Sequence, residues 1–210
     1  MRAFIYTGGC IDPAGIPEAP DKDDVTIAAD SGYRNARLLG VKPSILLGDF
    51  DSLPREELNE AADGAEVIEV PSKKDFTDTQ LAVDTAIKKG AKEIIIIGGL
   101  DGRLDHTLSN LAIIESLKQK GLRGYATNGR NRVRYLENDS IILMRSSYKY
   151  FSLIARTPKV KGVCIEGCKY PLKNKTLFAN DQYAVSNEIE GNCSFISIKK
   201  GALLIIESKD

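Results

Sequence analysis

The sequence has no tryptophan and a single histidine, His106, among its 210 residues. One histidine excludes a metal centre built on several imidazoles, and four cysteines without C-x-x-C spacing offer little for thiolate ligation. Cys164 and Cys168 alone hint at zinc. The plainer reading of both, and of Cys10 and Cys193, is reduced thiols packed as small apolar groups. Excess charge is missing too. Lys+Arg and Asp+Glu both number 29, so no global field gathers nucleic acid and an anionic substrate must be met by local charge. No run approaches the roughly 18 apolar residues that span a bilayer, and MRAFIYTGGC carries too short an apolar stretch for a signal peptide. A soluble, cytoplasmic protein with no nucleic-acid or membrane partner is expected. Neither G-x-x-x-x-G-K-[ST] nor G-x-G-x-x-G occurs, which sets aside the P-loop and the dinucleotide fingerprint. Asp49-Phe50-Asp51 is only superficially like the D-F-G of protein kinases, since its third residue is wrong and no companion motif is present.

What the chain does have is two kinds of periodicity. Up to about Gly124, short apolar runs alternate with helical stretches. Ala3–Thr7, Val25–Ala29, Ser44–Leu47, Glu66–Val70 and Glu93–Ile97 read as strands, and three of them are apolar at nearly every position, as in parallel strands buried on both faces. Helices are predicted from Ser31 to Leu39, from a Thr77–Gln80 capping box to Gly90, and up to Gly121 with Leu104, Leu108, Leu111, Ile114 and Leu117 on one face. After Thr127 the helical period gives way to short β-rich runs punctuated by Gly, Pro and Asn. The expected architecture is a doubly wound parallel α/β domain over residues 1–125, followed by a small antiparallel β-sandwich over 126–210.

Polar clusters follow four of the predicted strands: Asp30-Ser31-Gly32, Gly48-Asp49-Phe50-Asp51-Ser52, Lys73-Lys74-Asp75-Phe76-Thr77-Asp78, and Gly98 through His106. A lone aspartate at a strand end usually caps a turn. Four such clusters on the one edge where α/β sheets bind ligands point instead to a site. Asp49 and Asp51, two apart in extended backbone, would lie on one face about 6.5–7 Å from each other and repel unless a cation sits between them. Oxygen ligands without a His or Cys cluster indicate Mg²⁺, with Asp75 and Asp78 available to complete the shell. Gly8-Gly9 and Gly98-Gly99 let backbone amides approach an anion, and Lys74 and Arg103 could neutralise phosphate oxygens. His106 could act as a general base, but a histidine in a first helical turn equally serves capping or packing.

Taken in order, A-D-S-G, G-D-F-D-S, K-D-F-T-D-T-Q and G-G-x-x-G-R-x-D-H-T-x-x-N resemble the thiamine pyrophosphokinase (thiamine diphosphokinase) family. The likeness covers residues 1–125 closely, and the β-rich part adds Gly167–Leu172 and Ser186-Asn187. The resemblance implies transfer of the pyrophosphoryl group of ATP to the hydroxyl of thiamine, giving AMP and thiamine diphosphate. It also implies Mg²⁺ dependence and a homodimer whose active site lies between the first domain of one subunit and the second of its partner. Carried over, Asp49, Asp51 and Asp78 would be the metal carboxylates, with Asp75 beside them and Arg103 at the reacting phosphates. Gly8, Gly9, Asp30, Ser31, Lys74, Asp105, His106 and Asn110 would form the nucleotide and phosphate site. Thr77, Gln80, Ser186 and Asn187 would face thiamine. Some relatives place a tryptophan beside the thiamine ring, where this chain has Phe195 or Tyr183 to offer. A pyrophosphokinase of another hydroxymethyl heterocycle, such as a pterin, or a non-catalytic nucleotide- or thiamine-binding regulator, would share much of this pattern.

Overall fold

The computed structural model describes residues 1–51, 54–71, 73 and 75–210. Lys74, a candidate phosphate ligand, lies outside the described residues. The chain divides into two compact units, Met1–Gly129 and Arg130–Asp210.

In the first unit, strands β1 (Arg2–Tyr6), β2 (Val25–Ala29), β3 (Ile45–Gly48), β4 (Glu66–Glu69), β5 (Glu93–Ile97) and β6 (Arg123–Thr127) pair in parallel in the order β4-β3-β2-β1-β5-β6. Helices α1 (Gly32–Leu38), α2 (Arg55–Ala62), α3 (Asp78–Lys88) and α4 (Leu104–Gln119) form the crossovers. The all-apolar runs fall on the central strands, as double-sided burial requires. Ile94 to Ile97 are each at most 1% exposed, which stabilises the fold by roughly 1.5–3 kcal/mol per side chain. At the sheet edge β4 carries exposed Glu66, Val67 and Glu69, charges that discourage pairing with another strand.

Two expectations for this unit shift. The polar helix α2 (REELNEAA) buries only Ala61 and so shows no apolar period in the sequence. In α4 the buried face is Asn110, Ile113, Ile114 and Leu117, whereas Leu104 and Leu108 are exposed. The face that turns inward carries Asn110, which bonds the loop after β5, and Leu104 and Leu108 lie away from the core.

The second unit is a two-layer antiparallel sandwich. One layer is β7 (Asn131–Glu137), β13 (Ala202–Ser208) and β9 (Tyr150–Ala155), in the order β7-β13-β9. The other is β11 (Leu172–Phe178), β10 (Lys159–Glu166), β12 (Cys193–Ser197) and β8 (Ser140–Met144), in the order β11-β10-β12-β8. Leu153, Leu203 and Ile205 from the first layer and Leu143, Val160, Val163, Ile165 and Ile196 from the second fill one core between them. β11 is hard to see in the sequence because only Leu172 and Leu177 point inward and its pairing with β10 is broken by register shifts. At the end of β13, Glu207 is 2% exposed and forms ion pairs with both Arg132 and Arg134 of β7.

Candidate active site

β1 and β5 are adjacent, while β2, β3 and β4 extend to one side and β6 to the other. The order of the sheet therefore reverses between β1 and β5, and a crevice opens at their carboxyl ends. It holds a cleft of about 380 Å³ lined by, among others, Gly8, Asp30, Asp78, Gly99, Asp101 and Asn110. Thr7, Gly9, Ser31, Thr77, Arg103 and His106 also border it.

The floor is backbone held in place by two buried amides. Asn110 donates from Nδ2 to the carbonyl of Gly99 (2.9 Å), and Asn35 of α1 donates to the carbonyls of Thr7 (2.7 Å) and Gly9 (3.0 Å). The two loops are tied directly by Gly99 N–H to Gly8 C=O (3.0 Å). Gly99 has φ +66°, and a Cβ there would lie 2.3 Å from Asn110 Nδ2, so glycine is required for this close approach. Asn35 was not singled out from the sequence. It sits mid-helix in an otherwise ordinary run, and only its approach to the β1 loop reveals its role.

Beside the floor the carboxylates converge. One oxygen each from Asp30, Asp49 and Asp51 lies within 4.8 Å of the others. Asp30 follows β2 in the left-handed region (φ 50°), with its N–H donating to Leu47 C=O at 2.8 Å. The extended geometry expected for Asp49-Phe50-Asp51 does not occur. Phe50 is left-handed (φ 57°), β3 ends at Gly48, and Asp51 N–H donates to Asp49 Oδ1 at 3.3 Å. Phe50 packs its ring against Ala28, Tyr33, Leu46 and Ala61, which holds the turn and folds the two carboxylates closer than a strand would. The charge of Asp49, followed by partial burial and the charges of Asp30 and Asp78, pushes the Asp51 carboxyl above its ordinary value. Three hard oxygen donors brought together in this way suit a divalent cation such as Mg²⁺.

Asp78 borders the cleft and acts on Asp51 through its charge, although the three-carboxylate group among the described residues is Asp30, Asp49 and Asp51. Asp75 is exposed. Thr77 caps α3, its Oγ accepting from Gln80 N–H at 3.2 Å, which accounts for both residues structurally. Arg103 is exposed and pairs with Asp105 (2.6 Å); that partner raises Arg103 and, in return, holds the Asp105 carboxyl low. His106 is exposed, and its backbone N–H donates to Asp105 Oδ1 at 3.0 Å.

In the second unit, Asn187 is buried and its amide is committed within the unit. Nδ2 donates to Tyr170 C=O (2.9 Å), and Oδ1 accepts from the N–H groups of Tyr170 (3.0 Å) and Glu188 (2.9 Å). Ser186 is left-handed (φ 58°), with its N–H donating to Ser152 Oγ at 3.0 Å. These residues brace a cavity of about 390 Å³ walled by Tyr170, Tyr183, Val185, Leu172 and Lys169. Phe195 is elsewhere, paired across strands with Ile142 on the outer face of its sheet.

Comparison with known proteins agrees with both halves. The family model for the thiamin pyrophosphokinase catalytic domain matches residues 17–126, and that for the thiamin pyrophosphokinase vitamin B1 binding domain matches residues 139–203. A Bacillus subtilis protein named thiamine pyrophosphokinase is 28% identical over 192 residues, covering 90% of each chain. The crystal structure of thiamine pyrophosphokinase from Bacillus subtilis superposes with a TM-score of 0.91 at 26% identity over 100% of both chains. That of a thiamin pyrophosphokinase family protein from Enterococcus faecalis gives 0.83 at 29% identity, again over 100% of both. Thiamin pyrophosphokinase from Candida albicans, at 13% identity and a TM-score of 0.78 over 99% of this chain and 89% of its own, shares the fold.

Proposed function

The chain belongs to the thiamin pyrophosphokinase family, and on that premise we propose how its own residues move a pyrophosphoryl group from ATP to the hydroxyl of thiamine. The observation that carries the reading is the group Asp30, Asp49 and Asp51, three carboxylate oxygens within 4.8 Å beside a glycine-floored cleft. These three residues would hold Mg²⁺. Bound there, the ion supplies charge neutralisation for the phosphate oxygens.

The other steps belong to side chains and backbone. The Gly8-Gly9 and Gly98-Gly99 loops, held by Asn35 and Asn110, position the polyphosphate. Arg103 exchanges its pairing with Asp105 for the reacting phosphates, offsetting charge as it develops. The thiamine hydroxyl attacks the β-phosphorus in line, the bond from that phosphorus to the α–β bridging oxygen breaks, and AMP departs with the electron pair. Asp78, which borders the cleft where Asp75 does not, accepts the hydroxyl proton.

The aromatic-walled cavity of the second unit, with Tyr170 and Tyr183, offers stacking faces for a heterocycle and is the proposed thiamine side. The proposal includes a homodimer in which each site draws on both subunits. Charge supports this arrangement. Residues 1–129 carry 15 basic and 21 acidic side chains, a formal −6, whereas residues 130–210 carry 14 and 8, a formal +6. Opposite fields favour packing the first unit of one copy near the second unit of another. The exposed pairs Ile142–Phe195 and Met144–Cys193 on one sheet face supply apolar surface for such a contact. No helix among the described residues is long and apolar enough to cross a membrane, and we place the protein in the cytoplasm.

The test is to incubate the protein with thiamine, ATP and Mg²⁺ and to quantify AMP and thiamine diphosphate. Equal amounts of both are expected, abolished by a chelator of divalent ions. Release of ADP, or nucleotide turnover indifferent to thiamine, would refute the assignment.

A further inference from the structure

Asp101 follows β5 and reaches across the crevice to the loop after β1, where its Oδ2 accepts from Cys10 N–H at 2.9 Å. That bond fixes the carboxylate and leaves Oδ1 buried with no hydrogen-bond partner among the described residues. Gly9 is shaped around the same atom. It has φ +99°, and a Cβ on it would lie 2.3 Å from Asp101 Oδ1. A buried carboxylate oxygen left without a donor is costly, so its retention in the wall of a ligand cleft points to a donor arriving with the ligand.

The donor's chemistry follows from the position. Asp101 is not one of the three carboxylates whose oxygens converge, which makes a shared cation the poorer partner. Its only nearby cationic neighbour in sequence, Arg103, is paired with Asp105. The oxygen lies against Gly9, at the edge of the glycine loops proposed to position the polyphosphate. In a nucleotide, the group next to the phosphates that can donate a hydrogen bond is the sugar. We propose that Asp101 Oδ1 accepts from a ribose hydroxyl of ATP and makes the enzyme selective for ribonucleotides over deoxyribonucleotides. The inference rests on the reading of the cleft as a nucleotide site.

It is tested by equilibrium titration of the protein with AMP, 2′-deoxy-AMP and 3′-deoxy-AMP, followed by KM values for the corresponding triphosphates. One deoxy form should bind at least about tenfold more weakly than AMP, the discrimination a hydrogen bond to a charged acceptor provides. In Asp101→Ala the ratio should fall close to one. In Asp101→Asn, which keeps an acceptor for Cys10 N–H, it should fall by about threefold or more, because the neutral bond is roughly half as strong. The Asn variant decides the matter if the Ala variant does not fold. Equal affinity of wild-type protein for AMP and both deoxy forms would overturn the assignment. So would variants that bind every nucleotide more weakly with the ratio unchanged, since that describes a purely structural loop tie. Failure to bind AMP at all would overturn the nucleotide reading as well.

Discussion

The two units place acidic side chains in opposite settings. In the second, one carboxylate, Glu207, is buried between two guanidiniums directly across a strand pair. In the first, three carboxylates share one rim, and Asp51 is pushed upward chiefly by Asp49. A compensated charge is part of the scaffold, and removing one partner strands the others. A set of like charges works against the scaffold, and the cation proposed for the rim would offset that repulsion. The difference separates a residue that maintains the fold from residues the fold supports at some cost.

Substitutions that remove a carboxylate should therefore have opposite consequences in the two places. Glu207→Ala leaves Arg132 and Arg134 facing each other in a largely buried position, and a loss of about 3–5 kcal/mol is expected in denaturant unfolding. A loss below about 1 kcal/mol would break the contrast. Asp49→Asn should lower the rate of AMP release by about 10²–10³-fold while the unfolding temperature holds or rises, because repulsion at the rim is relieved. The same variant should lose the stabilisation that Mg²⁺ confers on the wild-type protein in thermal melts. Near-normal turnover, or a Mg²⁺-dependent melting shift equal to wild type, would remove Asp49 from the metal site. The smallest effect is expected at α3, where Thr77→Ala removes the Oγ that accepts from Gln80 N–H, a cap worth about 1 kcal/mol. Because Asp78 occupies the first turn of that helix, the variant should also weaken catalysis more than its stability change suggests. Unchanged turnover would separate the cap from the site.

Much of this was legible before any coordinates. Uninterrupted apolar runs such as Ile94–Ile97 can only be satisfied by burial on both faces, and they lie in the middle of the parallel sheet. The Thr77–Gln80 cap is local, needing only residues three apart, and it formed as the sequence requires. Strands of known direction also meant that the clusters after β2, β3, β4 and β5 would emerge on one edge. By contrast, α2 and β11 bury so few side chains that no periodicity marks them.

By itself the sequence determined the order of elements, the two-part architecture and the supply of acidic, glycine-rich turns, because those depend on periodicity and on neighbours along the chain. Only the tertiary structure decided which oxygens converge. The left-handed turn at Phe50 brings Asp49 and Asp51 to Asp30, Asn35 reaches from a helix to the β1 loop, and Asp101 closes on Cys10 from 91 residues away. Such approaches are set by packing between segments distant along the chain, and spacing in the sequence carries no record of them.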